Sequence, residues 1–137
     1  MKTLIDGISK YSAVYLRVAL GMAFLSAVAD RFGLWGASGE SLVAWGNFQN
    51  FLDYTAQITP FFPTFMVPII GWIVTILEIA LGMILLTGVR LKEVAFISGT
   101  LLLLFAIGMT VGVGIKSPLD CSVFTVSAAA FYLSAKT

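Results

Sequence analysis

Val67-Pro-Ile-Ile-Gly-Trp-Ile-Val-Thr-Ile-Leu-Glu-Ile-Ala-Leu-Gly-Met-Ile-Leu-Leu-Thr87 contains one ionisable side chain, Glu78, in an otherwise unbroken apolar run. As a helix it measures about 31 Å, enough to cross a hydrocarbon core of about 30 Å. Gly88, Arg90 and Lys92 then make a short polar turn, and Val94 to Ile115 is a second such run with no charge inside it. A shorter run follows from Pro118 or Leu119 to Ala135, with Asp120 at its start. Upstream, Pro60, Pro63 and Pro68 end the preceding segment and open the helix, because proline is tolerated in a first helical turn. Further back, Tyr11 to Ala29 forms a fourth run of roughly 28 Å. Lys2 and Lys10 before Val18–Val28, with Ala27-Val28-Ala29 ahead of Asp30, also fit a cleavable leader. Arg17 sits awkwardly for a leader, and a retained helix is expected.

The expectation is an all-α membrane protein: one transmembrane domain over residues 1–137, folded as an antiparallel four-transmembrane-helix bundle. Its spans fall at about 11–29, 67–87, 94–115 and 118–135. Composition agrees, since 59% of residues are hydrophobic and 11% charged, where soluble domains carry about 25% charged residues. A mean hydropathy of +1.00 implies that much of the apolar surface faces lipid. The net charge of +1 excludes nucleic acid as a partner, for want of clustered Lys and Arg. The absence of histidine removes the commonest general base, zinc ligand and haem ligand. The single cysteine, Cys121, has no partner in the chain for a disulfide. No metal site, catalytic residue or resident cofactor is expected.

Residues 31–63 form a long connection dense in aromatics, among them Trp35, Trp45, Phe48, Phe51 and Tyr54. Leu42, Trp45, Phe48, Phe51 or Leu52, and Thr55 recur at helical spacing, which predicts a short amphipathic helix at the membrane interface. Lys2, Lys10, Arg90, Lys92 and Lys136 fall on the side of the N-terminus, against Arg31 and Lys116 on the other. This bias predicts cytoplasmic N- and C-termini and an extracytoplasmic aromatic loop.

Arg17 and Glu78 lie well inside spans, where each costs about 2.5 to 3.5 kcal/mol at a helix centre. Counted from the charged ends, Arg17 lies roughly 10 Å deep and Glu78 roughly 18 Å, so a long arginine side chain is expected to reach the carboxylate. Ser12, Tyr15 or Thr75 would supply further hydrogen bonds. Two readings follow: the pair fixes which helix faces meet, or it lines a pocket for a polar head group, a quinone ring or a proton. Asp30, Arg31 and Asp120 stand near the outer helix ends, either as solvated interface charges or as an outer polar ring with Lys116.

Gly108-Met-Thr-Val-Gly112 and Ser127-Ala-Ala-Ala130 put small residues on two helices and predict close packing between helices or subunits. Met22, Met83 and Met109 lack the sulfur or imidazole company of a copper site and are read as packing. Arg17-Val-Ala-Leu-Gly-Met-Ala-Phe-Leu25 also lines up with Glu78-Ile-Ala-Leu-Gly-Met-Ile-Leu-Leu86. The two segments cross the membrane in opposite directions, so an inverted repeat is conceivable, although chance suffices for so short a match.

Leu16-Arg17 followed by Gly21 and Phe24-Leu25, with Arg31 beyond, resembles the DoxX family of small bacterial membrane proteins, as does Trp72 through Glu78, Gly82, Gly88 and Arg90. The resemblance covers nearly the whole chain. It implies a four-helix protein of the bacterial cytoplasmic (inner) membrane, associated with redox or detoxification systems. Some relatives resemble a membrane subunit of thiosulfate:quinone oxidoreductase, and others scaffold oxidoreductase complexes. This chain lacks paired cysteines, histidine and a flavin motif, so electron transfer would use a partner's cofactor or a bound quinone. The expected function is a non-catalytic subunit or scaffold in the lipid bilayer that meets an oxidoreductase partner. The alternative is a quinone or other lipophilic small-molecule site at Arg17 and Glu78, and a small transporter stands third. The small-residue faces also suit a homo-oligomer.

Overall fold

A computed structural model describes residues 1–137. Helix α1 runs from Lys2 to Arg31 without a break. Its buried stripe of Leu20, Phe24, Val28 and Arg31 recurs every three to four residues and lies wholly in the C-terminal half. A loop follows, and α2 spans Phe48–Ile58. The Asn47 side chain caps α2 by accepting from the Asn50 amide at 2.8 Å. Leu42 and Trp45, expected within this helix, precede it, because Gly46 takes a left-handed conformation (φ 76°) that turns the chain into the cap.

A single 3-10 turn at Thr64–Met66 leads into α3, Val67–Thr87, which Gly88 ends in the left-handed conformation. Helix α4 spans Leu91–Val113, α5 Lys116–Asp120 and α6 Val123–Lys136. This is a multi-pass all-α membrane protein with three helices long and apolar enough to cross: α1, α4, and α3 with its leading turn. The fourth span expected at 118–135 is divided, because Ser122 adopts φ 57° and separates α5 from α6. Helix α6 alone, at 14 residues, reaches about 21 Å, short of a core of about 30 Å.

Helix α1 packs chiefly on α3, and α4 chiefly on α6. Leu20, Phe24, Leu81, Leu85, Val94, Leu101 and Ala130 form the core between them. On α6, Ser127 donates to the Gly99 carbonyl and Ser134 to the Lys92 carbonyl, both at 2.7 Å. These bonds seat α6 antiparallel against the first half of α4. The far end of α4 is met by α2: a Cβ on Gly108 would lie 2.8 Å from the Ile58 carbonyl oxygen, and Gly112 abuts Gln57 and Ile58. The Gly108/Gly112 pair therefore receives the backbone of a short helix, not another full span.

Candidate functional site

Where α1 crosses α3, Gly21 faces Gly82, and the two matched segments pack reciprocally. A Cβ on Gly21 would lie 3.2 Å from Leu86 Cγ, and one on Gly82 would lie 2.9 Å from Leu25 Cγ. The similarity noted in the sequence is thus used as a crossing with local two-fold character. Arg17 and Glu78 each stand four residues before their glycine. Because the helices are antiparallel, those positions fall on opposite sides of the crossing, about 12 Å apart along the axis.

The expected Arg17–Glu78 pair is therefore absent, and Glu78 is paired with Arg31. Both are buried, each only 2% exposed. Arg31 Nη1 also donates to Thr75 Oγ1 at 2.9 Å, and that hydroxyl donates in turn to the Gly71 carbonyl at 2.7 Å. Above the guanidinium sits the Phe51 ring, its centroid 3.7 Å from Arg31 Cζ, with the Trp45 ring at 5.4 Å. A desolvated arginine over an aromatic face gains a further cation–π attraction. Arg17 turns to the other end of the bundle, where its guanidinium lies against Gly88. There it meets the C-terminus of α3, whose free carbonyls favour a cation.

Asp30, beside Arg31 in the chain, points the other way. Its carboxylate accepts from the amides of Ala44 and Trp45 at 2.8 Å and of Gly46 at 3.0 Å. Consecutive residues thus join the core to the loop: Arg31 holds α3 and Asp30 holds the segment leading into α2. Asn50 adds a bond to the Trp45 carbonyl and one to Ser38, each at 2.9 Å, and the Trp35 indole donates to the Ser26 carbonyl at 3.1 Å. Phe48 stacks on Phe32 with centroids 5.6 Å apart and meets Trp72 at 4.4 Å. Half-buried Tyr54 lies 6.2 Å from Trp45, and burial raises its phenol above the usual range.

No outer ring of Asp30, Arg31 and Asp120 forms. The first two are buried, while Asp120 pairs with Lys116 one helical turn away on the exposed surface. Of the expected hydrogen-bonding helpers, Thr75 serves, but toward Arg31. No local sequence pattern marks Phe51 or Gly71 as belonging to the surroundings of the charge. Phe51 leads the buried face of α2, and Gly71 admits Leu52 of that helix. An apolar groove bounded by Leu77, Phe96, Thr100 and Leu104 lies on the α3–α4 flank. Its volume of about 220 Å³ is below the roughly 300–1,000 Å³ of drug-sized ligand sites, and neither Arg31 nor Glu78 lines it.

The chain matches the family described as methylamine utilisation protein MauE over residues 9–133. It belongs to the MauE family. The match takes in the crossing glycines, Asp30 and Arg31, the aromatic loop and Glu78, so the whole site lies within the MauE region. The DoxX resemblance holds at the coarser level of a small multi-pass membrane protein. Searches of curated proteins and of solved structures found no match.

Proposed function

We propose that this protein is a non-catalytic inner-membrane subunit or scaffold of a redox system, presenting its aromatic loop to a partner protein. One observation carries the reading: Asp30, Arg31 and Glu78, the buried ionisable groups at the loop end, are spent on one another and on the backbone. Arg31, Glu78 and Thr75 fix how α1 meets α3, and Asp30 fixes the loop. A registration role of this kind suits a buried ion pair.

The loop so held carries large apolar side chains outward, including Leu34, Trp35 and Phe61. Leu42 is fully exposed at φ 71°, a left-handed conformation that a leucine adopts at a cost of about 1–2 kcal/mol. An apolar side chain held out on a pinned, strained turn suits a protein interface. The family description, methylamine utilisation, is consistent with an accessory role in an oxidative system. The termini end carries Lys2, Lys10, Arg90, Lys92 and Lys136, whereas Arg31 is buried and Lys116 is paired, which supports cytoplasmic termini.

Native mass spectrometry of the protein, extracted gently from its own membrane, tests this. An oxidoreductase subunit in fixed stoichiometry, lost in Leu42→Asp while the fold persists, is the expected result. A chain free of protein partners that retains a quinone would overturn the scaffold reading.

A further inference from the structure

The two ends of the bundle treat their charges differently. At the loop end Arg31 and Lys116 stand among five carboxylates, and both ion pairs of the chain are found there. The termini end carries Lys2, Lys10, Arg17, Arg90, Lys92 and Lys136 against two carboxylates, Asp6 and Glu93, and none of the six cations forms a salt bridge.

Arg17 is the one of the six that is drawn inward. It is half-buried where the other five are exposed, and a Cβ on Gly88 would overlap its Nη1, so the guanidinium occupies the notch that this glycine leaves. The carbonyls at the end of α3 attract it, yet none accepts a hydrogen bond from it. Its Nε is shielded from solvent and has no partner. Such a group is costly, because a desolvated charge needs both a counter-charge and hydrogen bonds. At the other end Arg31 receives them from Glu78 and Thr75. Here the chain supplies further cations instead. Arg90 and Lys92 stand two and four residues beyond Gly88, and the Ser134 bond to the Lys92 carbonyl brings Lys136 toward the same corner. Glu93, next to Lys92 in the chain, is exposed and pairs with none of them.

The counter-ion therefore comes from outside the chain, and the surroundings indicate its form. The exposed neighbours of the notch are apolar: Val14 and Val18 on α1, with Ile84 and Val89 on either side of Gly88. A surface of that kind on two membrane-spanning helices meets lipid and not a hydrated solute. We propose that Arg17, with Arg90 and Lys92, holds the phosphate of an anionic phospholipid from the leaflet on the side of the termini. The planar guanidinium matches a phosphate, because two parallel N–H groups donate to two of its oxygens. The mobile cations beside it add charge and favour anionic over zwitterionic headgroups.

Native mass spectrometry of the full chain in detergent, titrated separately with phosphatidylglycerol, phosphatidylcholine and soluble glycerol phosphate, provides the test. One phosphatidylglycerol should bind in preference to phosphatidylcholine, and glycerol phosphate should neither bind nor displace it. Arg17→Gln should weaken that binding about tenfold or more, and Arg90→Gln combined with Lys92→Gln several-fold. Lys2→Gln combined with Lys10→Gln removes as much charge from the same end and should leave binding unchanged. The two double variants alter exposed residues only, so they decide the matter even where Arg17→Gln does not fold. Equal weakening by both would show diffuse attraction to a basic surface and overturn the proposal. Undiminished binding to folded Arg17→Gln, equal affinity for phosphatidylcholine, or displacement by glycerol phosphate would overturn it too.

Discussion

Gly21 and Gly82 approach so closely that a Cβ on either would come within 3.0–3.1 Å of the other's carbonyl oxygen. The axes of α1 and α3 can meet there only because neither residue has a side chain, and Leu25 and Leu86 lock the contact from either side. Gly82→Leu should force the helices apart and lower stability by about 1–3 kcal/mol or more, as overpacking does. Gly21→Ala should cost less. Thermal unfolding in a mild detergent, followed by circular dichroism, would rank the two.

The Arg31–Glu78 pair predicts strong non-additivity. Arg31→Met leaves a buried carboxylate without its cation and should cost about 3–5 kcal/mol, as should Glu78→Leu with the cation stranded. The double variant, which removes both charges, should recover most of that loss. A stability cycle over the four proteins decides it, and additive losses would show that the pair does not act as a unit.

These two relationships also show what the sequence made legible. Hydropathy located the apolar runs, because the bilayer's thickness sets a length that composition alone can meet. The partner of Glu78 was not legible, because depth counted from charged ends ignores where helices cross, and the Gly21–Gly82 contact shifts Arg17 to the far side. Arg31 read as an interface charge because it is the last residue of α1. It becomes a core residue only once the following loop folds back and lays Phe51 over it, a long-range event without a local signal. The division at Ser122 was equally hidden, since a left-handed serine leaves no mark in hydropathy.

Asp30 holds three loop amides with one carboxylate. Asp30→Ala should release them at a cost of about 1–3 kcal/mol for the groups left unpaired. Hydrogen exchange at Ala44, Trp45 and Gly46 should quicken while the amides of α4 keep their protection. Equal loss of protection in both places would mean that Asp30 supports the whole bundle.

Exposed Cys121 lies at the loop end, so it reports orientation directly. With cytoplasmic termini, a membrane-impermeant maleimide should label Cys121 from outside intact cells whose outer barrier has been opened. Lys136→Cys in a Cys121→Ser background should label only after the membrane is broken. The reverse pattern would invert the proposed topology.

Helix α2 rests on Gly108 and Gly112, yet it is synthesised some fifty residues earlier. During biogenesis the loop must wait while α3 and then α4 are threaded in, because its seat does not exist until then. The covering of Arg31 is therefore completed only after that seat arrives, and until then the cation has Glu78 but no aromatic face. The shortest route to a misassembled chain is one in which α4 enters and α2 fails to find it.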